Sequence, residues 1–195
     1  MTDKVSALIN QIKALEDELE DAFEEQRKAL HLRIEHGRAV FDKEIQRQHA
    51  ALRTSLLKYV VGSRPLIVLT APFIYAVIIP FVLLDLFVTV YQAICFPVYG
   101  IEKVRRGDYL SIDRHRLQYL NALEKLNCVY CGYGNGLLAY ASEIAGRTER
   151  FWCPIKHAQR MARTHPYYPD FADYGDAEAY RKKIEDLSAH PKNPD

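Results

Sequence analysis

CVYCGYGNGLLAYASEIAGRTERFWCPIKH, residues 128–157, holds three of the chain's four cysteines. Cys128 and Cys131 are separated by two residues and followed by Gly132, the spacing of a metal knuckle. Cys153 and His157 are four apart, which on a helix places both side chains on one face. Cys128, Cys131, Cys153 and His157 together make a Cys3His set, the tetrahedral N/S shell preferred by structural zinc. The separation of the two half-sites fits the zinc-module pattern. These four residues are therefore expected to hold one Zn2+.

The neighbouring residues are read around that ion. Three glycines within Gly132–Gly136 predict an irregular loop with tight turns. Before it, a helix is expected, capped by Ser111 or Asp113, striped by Leu117, Leu120, Leu123 and Leu126, and ended by Asn127. A second helix is expected from about Leu137 to Arg147, and Pro154 is suited to open a third that carries His157. Residues 102–164 thus form a small helical module with too little core to stand without a metal staple. Zinc binding then contributes folding free energy. A full Cys3His shell leaves no open position for substrate, which argues against catalysis at the metal. His165 is read as a loop residue before Pro166. Residues 165–195 form a Tyr/Pro-rich strap, a short helix from about Ala177 to Leu187, and a tail.

Upstream lies PLIVLTAPFIYAVIIPFVLLDLFVTVYQAICFPVYG, in which Asp85 is the one charged residue. Residues 63–101 exceed the ~20 that identify a membrane span. As one straight helix the run would reach ~55 Å, against a hydrocarbon core of ~30 Å. Lys58 and Arg64 precede it, and Lys103, Arg105 and Arg106 follow, so both ends are expected on the cytoplasmic side. A helical hairpin turning near Pro80 to Asp85 satisfies both constraints, and a single kinked span is the alternative. Asp85 then becomes a solvated tip residue rather than an intramembrane functional group.

Residues 1–62 contain apolar positions at Leu8, Ile12, Leu19, Phe23, Leu30, Ile34, Phe41, Ile45, Leu52 and Leu56. The steps alternate four and seven, an eleven-residue repeat that keeps the stripe nearly straight. With no proline from Lys4 to Tyr59, one continuous helix is expected, Gly37 included. Its stripe needs a partner, and residues 4–59 are expected to form a coiled coil with a second copy or to recruit another protein.

The net charge of +1 gives no sign of nucleic-acid binding. Arg147, Arg150, Lys156, Arg160 and Arg163 cluster around the last two ligands, and lipid headgroups suit them better. GYGNG is no dinucleotide fingerprint, since no strand precedes it and the spacing fails. No nucleophile–base pair is seen, no small-molecule substrate is identified, and the chain is not expected to be an enzyme. Clustered unpaired thiols suit a reducing compartment, and the first thirty residues lack the apolar core of a cleavable signal.

CVYCGY resembles one rubredoxin-type knuckle, and CPIKH resembles the second with histidine replacing its last cysteine. That resemblance covers two short pieces and implies iron and electron transfer as the alternative to zinc, with Lys156, Tyr130 and Tyr133 tuning the site. The strings YGNG and WCPIKHA are also similar to uncharacterised bacterial membrane-associated proteins, which implies the bacterial cytoplasmic membrane but no activity. The expected protein is mainly α: a long coiled-coil helix, a membrane hairpin and a Cys3His module, joined as a membrane-anchored scaffold or accessory subunit. Its N-terminal helix and metal module are expected to face the cytoplasm.

Overall fold

The computed structural model describes residues 3–29, 33–35 and 38–189. The chain is mainly helical, as expected. It divides into two compact units, Met1–Gly62 with Asp113–Asn127, and Ser63–Ile112 with Cys128–Asp195.

In the first unit, helix α1 (Asp3–Ala29) ends well short of the expected Tyr59. Strands β1 (Arg33–Glu35) and β2 (Arg38–Val40) then pair antiparallel, with Ile34 opposite Ala39. Two residues, His36 and Gly37, join them and lie outside the described residues, as does Leu30. The single long helix is therefore corrected to a helix, a strand pair and two short helices, α2 (Lys43–Ala51) and α3 (Leu56–Val61). The physical reason is local. Glycine costs ~1 kcal/mol in a helix, and β-branched Ile34 and Val40 beside it favour extended chain. Ser55 caps α3 by accepting from the Lys58 N–H. Around α2, His49 makes edge contacts with the rings of Phe41 and Tyr119.

The second unit begins with α4 (Pro65–Ala76) and α5 (Ile78–Tyr99), one rod interrupted only at Val77. The expected reversal at Pro80–Asp85 is absent, because those residues lie in the first turns of α5. Pro80 instead explains the interruption. Its ring excludes the carbonyl four residues back, Ala76, where α4 ends, and its missing N–H falls in a first turn that needs no donor. Gly100, at φ 73°, stops α5. The Ile101 N–H donates to the Phe96 carbonyl at 2.8 Å and the Gly100 N–H to that of Pro97 at 3.4 Å, the paired closure of a Schellman end.

Helix α6 (Ala122–Trp152) replaces the expected loop and two shorter helices with 31 residues of continuous helix. Its start is set by a capping box. Asn121 Oδ1 accepts from the Leu123 and Glu124 N–H groups, and Glu124 Oε2 accepts from the Asn121 N–H. Residues 114–116 form only a 3-10 turn, so neither Ser111 nor Asp113 caps a helix. The glycines serve close packing rather than turning. A Cβ on Gly134 would lie 2.7 Å from the Phe81 ring, one on Gly136 2.7 Å from the Tyr109 carbonyl, and one on Gly146 2.8 Å from the His165 ring.

Helices α5 and α6 run parallel, since their matched residues rise together. Tyr133 meets Asp85, Tyr140 meets Gln92, and Phe151 stacks on Tyr99. Residues 101–112 pack beside both helices, giving a core of Phe96, Val104, Leu137, Tyr140 and Ile144. After α6 the chain is non-helical through His157, so Pro154 opens no helix. Ile155 bridges to Ala172, and α7 (Ala177–Ala189) falls where a helix was expected.

Gly136→Ala tests the packing account. Overpacking of ~1–3 kcal/mol against a backbone carbonyl outweighs the ~1 kcal/mol helix-propensity gain. Denaturant unfolding in detergent is expected to show a net loss of stability, whereas a gain would mean that Gly136 is not closely packed.

Candidate functional site

Pro65–Tyr99 is, among the described residues, the one helix long and apolar enough to cross a membrane, 35 residues long with a mean hydropathy of 2.6 over its most apolar 18-residue stretch. Its burial pattern is regular. Ala71, Ile78, Asp85, Gln92 and Tyr99 recur every seven residues and are all at least half-covered, with Tyr75, Phe81, Val88 and Cys95 between them. A period of 3.5 gives a seam that winds slowly around an α-helix, the geometry of left-handed helix packing. The opposite surface is exposed and apolar along the whole rod, with Phe73 at 76%, Phe87 at 68% and Val98 at 77% of full exposure.

The larger polar side chains of the rod lie on or beside that seam. The Asp85 carboxylate accepts from Arg106 Nη2 at 2.6 Å and Nε at 3.1 Å, and from the Tyr133 hydroxyl at 3.0 Å. Gln92 Oε1 accepts from the Val104 N–H at 2.9 Å, while its Nε2 donates to the Val104 carbonyl and the Tyr140 hydroxyl. The Tyr91 hydroxyl shares a hydrogen with Thr148 at 3.1 Å. Tyr75 sets its ring edge against Tyr130, whose hydroxyl donates to the Ile74 carbonyl at 2.7 Å. The two exposed threonines bond back along the helix, Thr70 to the Ile67 carbonyl and Thr89 to Asp85. Apolar outside and polar inside is the arrangement of a helix whose outer solvent cannot hydrogen-bond. Asp85 is thus a paired residue of the seam, not a solvated tip.

A second polar cluster ties α6 to the chain on either side of it. Arg147 Nε donates to the nine-tenths-buried Glu143 carboxylate at 2.8 Å, and Arg147 Nη1 donates to the Glu102 carbonyl at 2.8 Å. The Tyr167 hydroxyl donates to the same carboxylate. Burial first, then that bond, push the Tyr167 phenol up to about 12, so it remains a donor at neutral pH. His165 Nε2 lies 3.0 Å from Glu149 Oε2, which engages it as an ion-pair partner.

The four expected metal ligands are not brought together. Cys128 and Cys131 sit one turn apart within α6, half-covered and exposed respectively. Cys153 follows the last residue of that helix, ~33 Å farther along its axis at 1.5 Å per residue. His157 lies beyond it, its ring stacked on Tyr168 and its backbone N–H donating to the Tyr168 hydroxyl. Among the described residues no group of three or more His, Cys, Asp or Glu is placed to hold a metal ion. Zinc or iron shared by these four donors requires the helix between them to break, so the donor set does not fit the fold. Lys156, expected to tune the site, pairs with Asp173 at 2.9 Å, and Tyr130 and Tyr133 turn toward the apolar rod.

Two signals in the sequence went unread. Asn121-x-x-Glu124 announces a helix start, and the seven-residue recurrence of Asp85, Gln92 and Tyr99 marks a seam inside an apparently uniform run. No protein-family model matches the chain, nor does any curated protein or solved structure. Only the chain's own geometry therefore bears on what it does.

Two outcomes are expected. Cys128→Ser is expected to leave metal content, visible spectrum and thermal midpoint unchanged, because this fold does not bring its thiol together with the other three expected donors. One zinc per chain, lost together with folding in that variant, would show that α6 breaks at its glycines. Tyr167→Phe removes a hydrogen bond to a buried charge and is expected to lower unfolding free energy by ~1–3 kcal/mol in denaturant melts.

Proposed function

We propose that this chain is a membrane-embedded scaffold or accessory subunit, with α4–α5 lying along one leaflet and α1 free to recruit partners. The observation that supports it is the inward placement of the larger polar groups on a rod whose outer surface is continuously apolar. In water such a surface far exceeds the few hundred Å2 that monomers tolerate. In lipid it needs no cover, and a seam-facing Asp and Gln are what a bilayer demands.

Three features favour lying along the membrane over crossing it. At 1.5 Å per residue the rod is ~52 Å long, against ~30 Å of hydrocarbon. Arg106 reaches Asp85 beyond the midpoint of the rod, and its neighbours Arg105 and Asp108 are exposed, so water or headgroups must reach that level on the α6 side. Basic residues stand at both flanks, Lys58 and Arg64 before it and Lys103 after it, as suits contact with an anionic cytoplasmic leaflet. A rod in one leaflet puts both flanks on one side without a hairpin. No step in this reading passes through a metal.

Labelling with a membrane-impermeant maleimide in sealed proteoliposomes tests it, after the native cysteines are changed to serine. Ser63→Cys and Lys103→Cys are expected to label from the same side, while Phe73→Cys and Phe87→Cys react at least ~10-fold more slowly. Labelling of the two flanks from opposite sides would make the rod a span. Fast labelling of Phe73→Cys and Phe87→Cys would remove the rod from the bilayer altogether.

A further inference from the structure

We infer that α1 pairs with the α1 of a second copy of this chain as a parallel, in-register coiled coil. This deepens the scaffold reading by naming the partner. Helix α1 is exposed along nearly its whole length, including its apolar residues Val5, Leu8, Ile12, Leu15, Leu19 and Phe23. In proteins most of a helix's stability comes from tertiary packing of its apolar face.

Once the helix ends at Ala29, a seven-residue pattern describes it better than an eleven-residue one. Val5, Ile12, Leu19 and Gln26 occupy one core position of successive heptads, and Leu8, Leu15, Ala22 and Ala29 the other. In the first two heptads β-branched Val5 and Ile12 at the first position with Leu8 and Leu15 at the second favour two parallel strands. Gln26 agrees with that orientation. In a parallel pair its amide faces its own copy and can donate and accept at once, whereas in an antiparallel pair it faces the far end of the partner. A polar residue at such a position sets register at some expense of stability.

Charge decides whether a copy can be the partner. Helix α1 carries eight acidic and four basic residues, a net −4 that argues at first sight against self-association. In the parallel register, however, the residues that flank the seam pair as Lys4 with Ile9, Gln11 with Glu16, and Glu18 with Phe23. None of these sets acid against acid. Asp17, Glu20, Asp21 and Glu24 project away from the seam, and two of them are tied within their own helix, Glu20 to Arg27 at 2.8 Å and Glu24 to Lys28 at 2.9 Å. A second copy therefore covers the apolar stripe without charge repulsion across it.

The test uses the full chain in nanodiscs, with native cysteines replaced by serine. Under mild oxidation Leu8→Cys is expected to form a disulfide-linked dimer within minutes and Asp17→Cys to remain monomeric. An antiparallel pair would hold the two Leu8 positions far apart. Leu19→Asp is expected to weaken association about 100-fold by light scattering, with helicity and the maleimide pattern of the apolar rod unchanged. That separation keeps failure of pairing distinct from failure of the membrane reading. A one-chain mass with Leu8→Cys unlinked, or a dimer that Leu19→Asp leaves intact, would overturn the inference.

Discussion

A rod whose outer surface is almost wholly apolar must satisfy its larger polar side chains from the protein side, and the second unit is built around that constraint. Gln92 shows it most plainly. Its amide bonds both the N–H and the carbonyl of Val104, as a neighbouring strand would, and also meets the Tyr140 hydroxyl. One side chain thereby fixes α5, the returning segment and α6 to one another. A buried amide left half-satisfied costs ~1–3 kcal/mol, so the three elements hold one arrangement. Asp85 does the same two helical turns away, through Arg106 and Tyr133.

Close approach follows from the same constraint. Bonds from short side chains across a helix interface require the backbones to come near. Gly134 admits the Phe81 ring, and Gly136 admits the backbone at Tyr109. Small residues at helix contacts are the usual device where lipid, not water, surrounds the outer faces. Three glycines in five residues are thus compatible with a long helix when each lies on its packed side, because tertiary contact outweighs a helix propensity of ~1 kcal/mol per residue.

The sites read from the sequence divide by range. The apolar run, the mainly helical class, α7 and an exposed sticky stripe on α1 were legible, because each depends on composition or on periodicity within a few turns. The Cys3His centre was legible only as a spacing. Spacing implies proximity if the intervening chain folds back, and here 21 intervening positions are taken up in one straight helix, which holds Cys131 and Cys153 apart. The capping box at Asn121 and Glu124 was the local signal that a helix starts late and runs on. Gly37 offered the opposite lesson, since the apolar phase passes through it although the helix ends before it.

By itself, the sequence determined that residues 65–99 are apolar and long enough to cross a membrane, that α1 carries an apolar stripe, and that helices dominate. Hydrophobicity and helix periodicity are properties of neighbouring residues, so they can be read without knowing what those residues touch. Only the tertiary structure decided that the rod does not turn back, that Asp85 and Gln92 face a seam, and that the glycines mark contacts instead of turns. Each of these depends on residues distant in sequence, Arg106, Val104 and Tyr109 among them, whose arrival is set by packing and hydrogen-bond satisfaction across the whole fold.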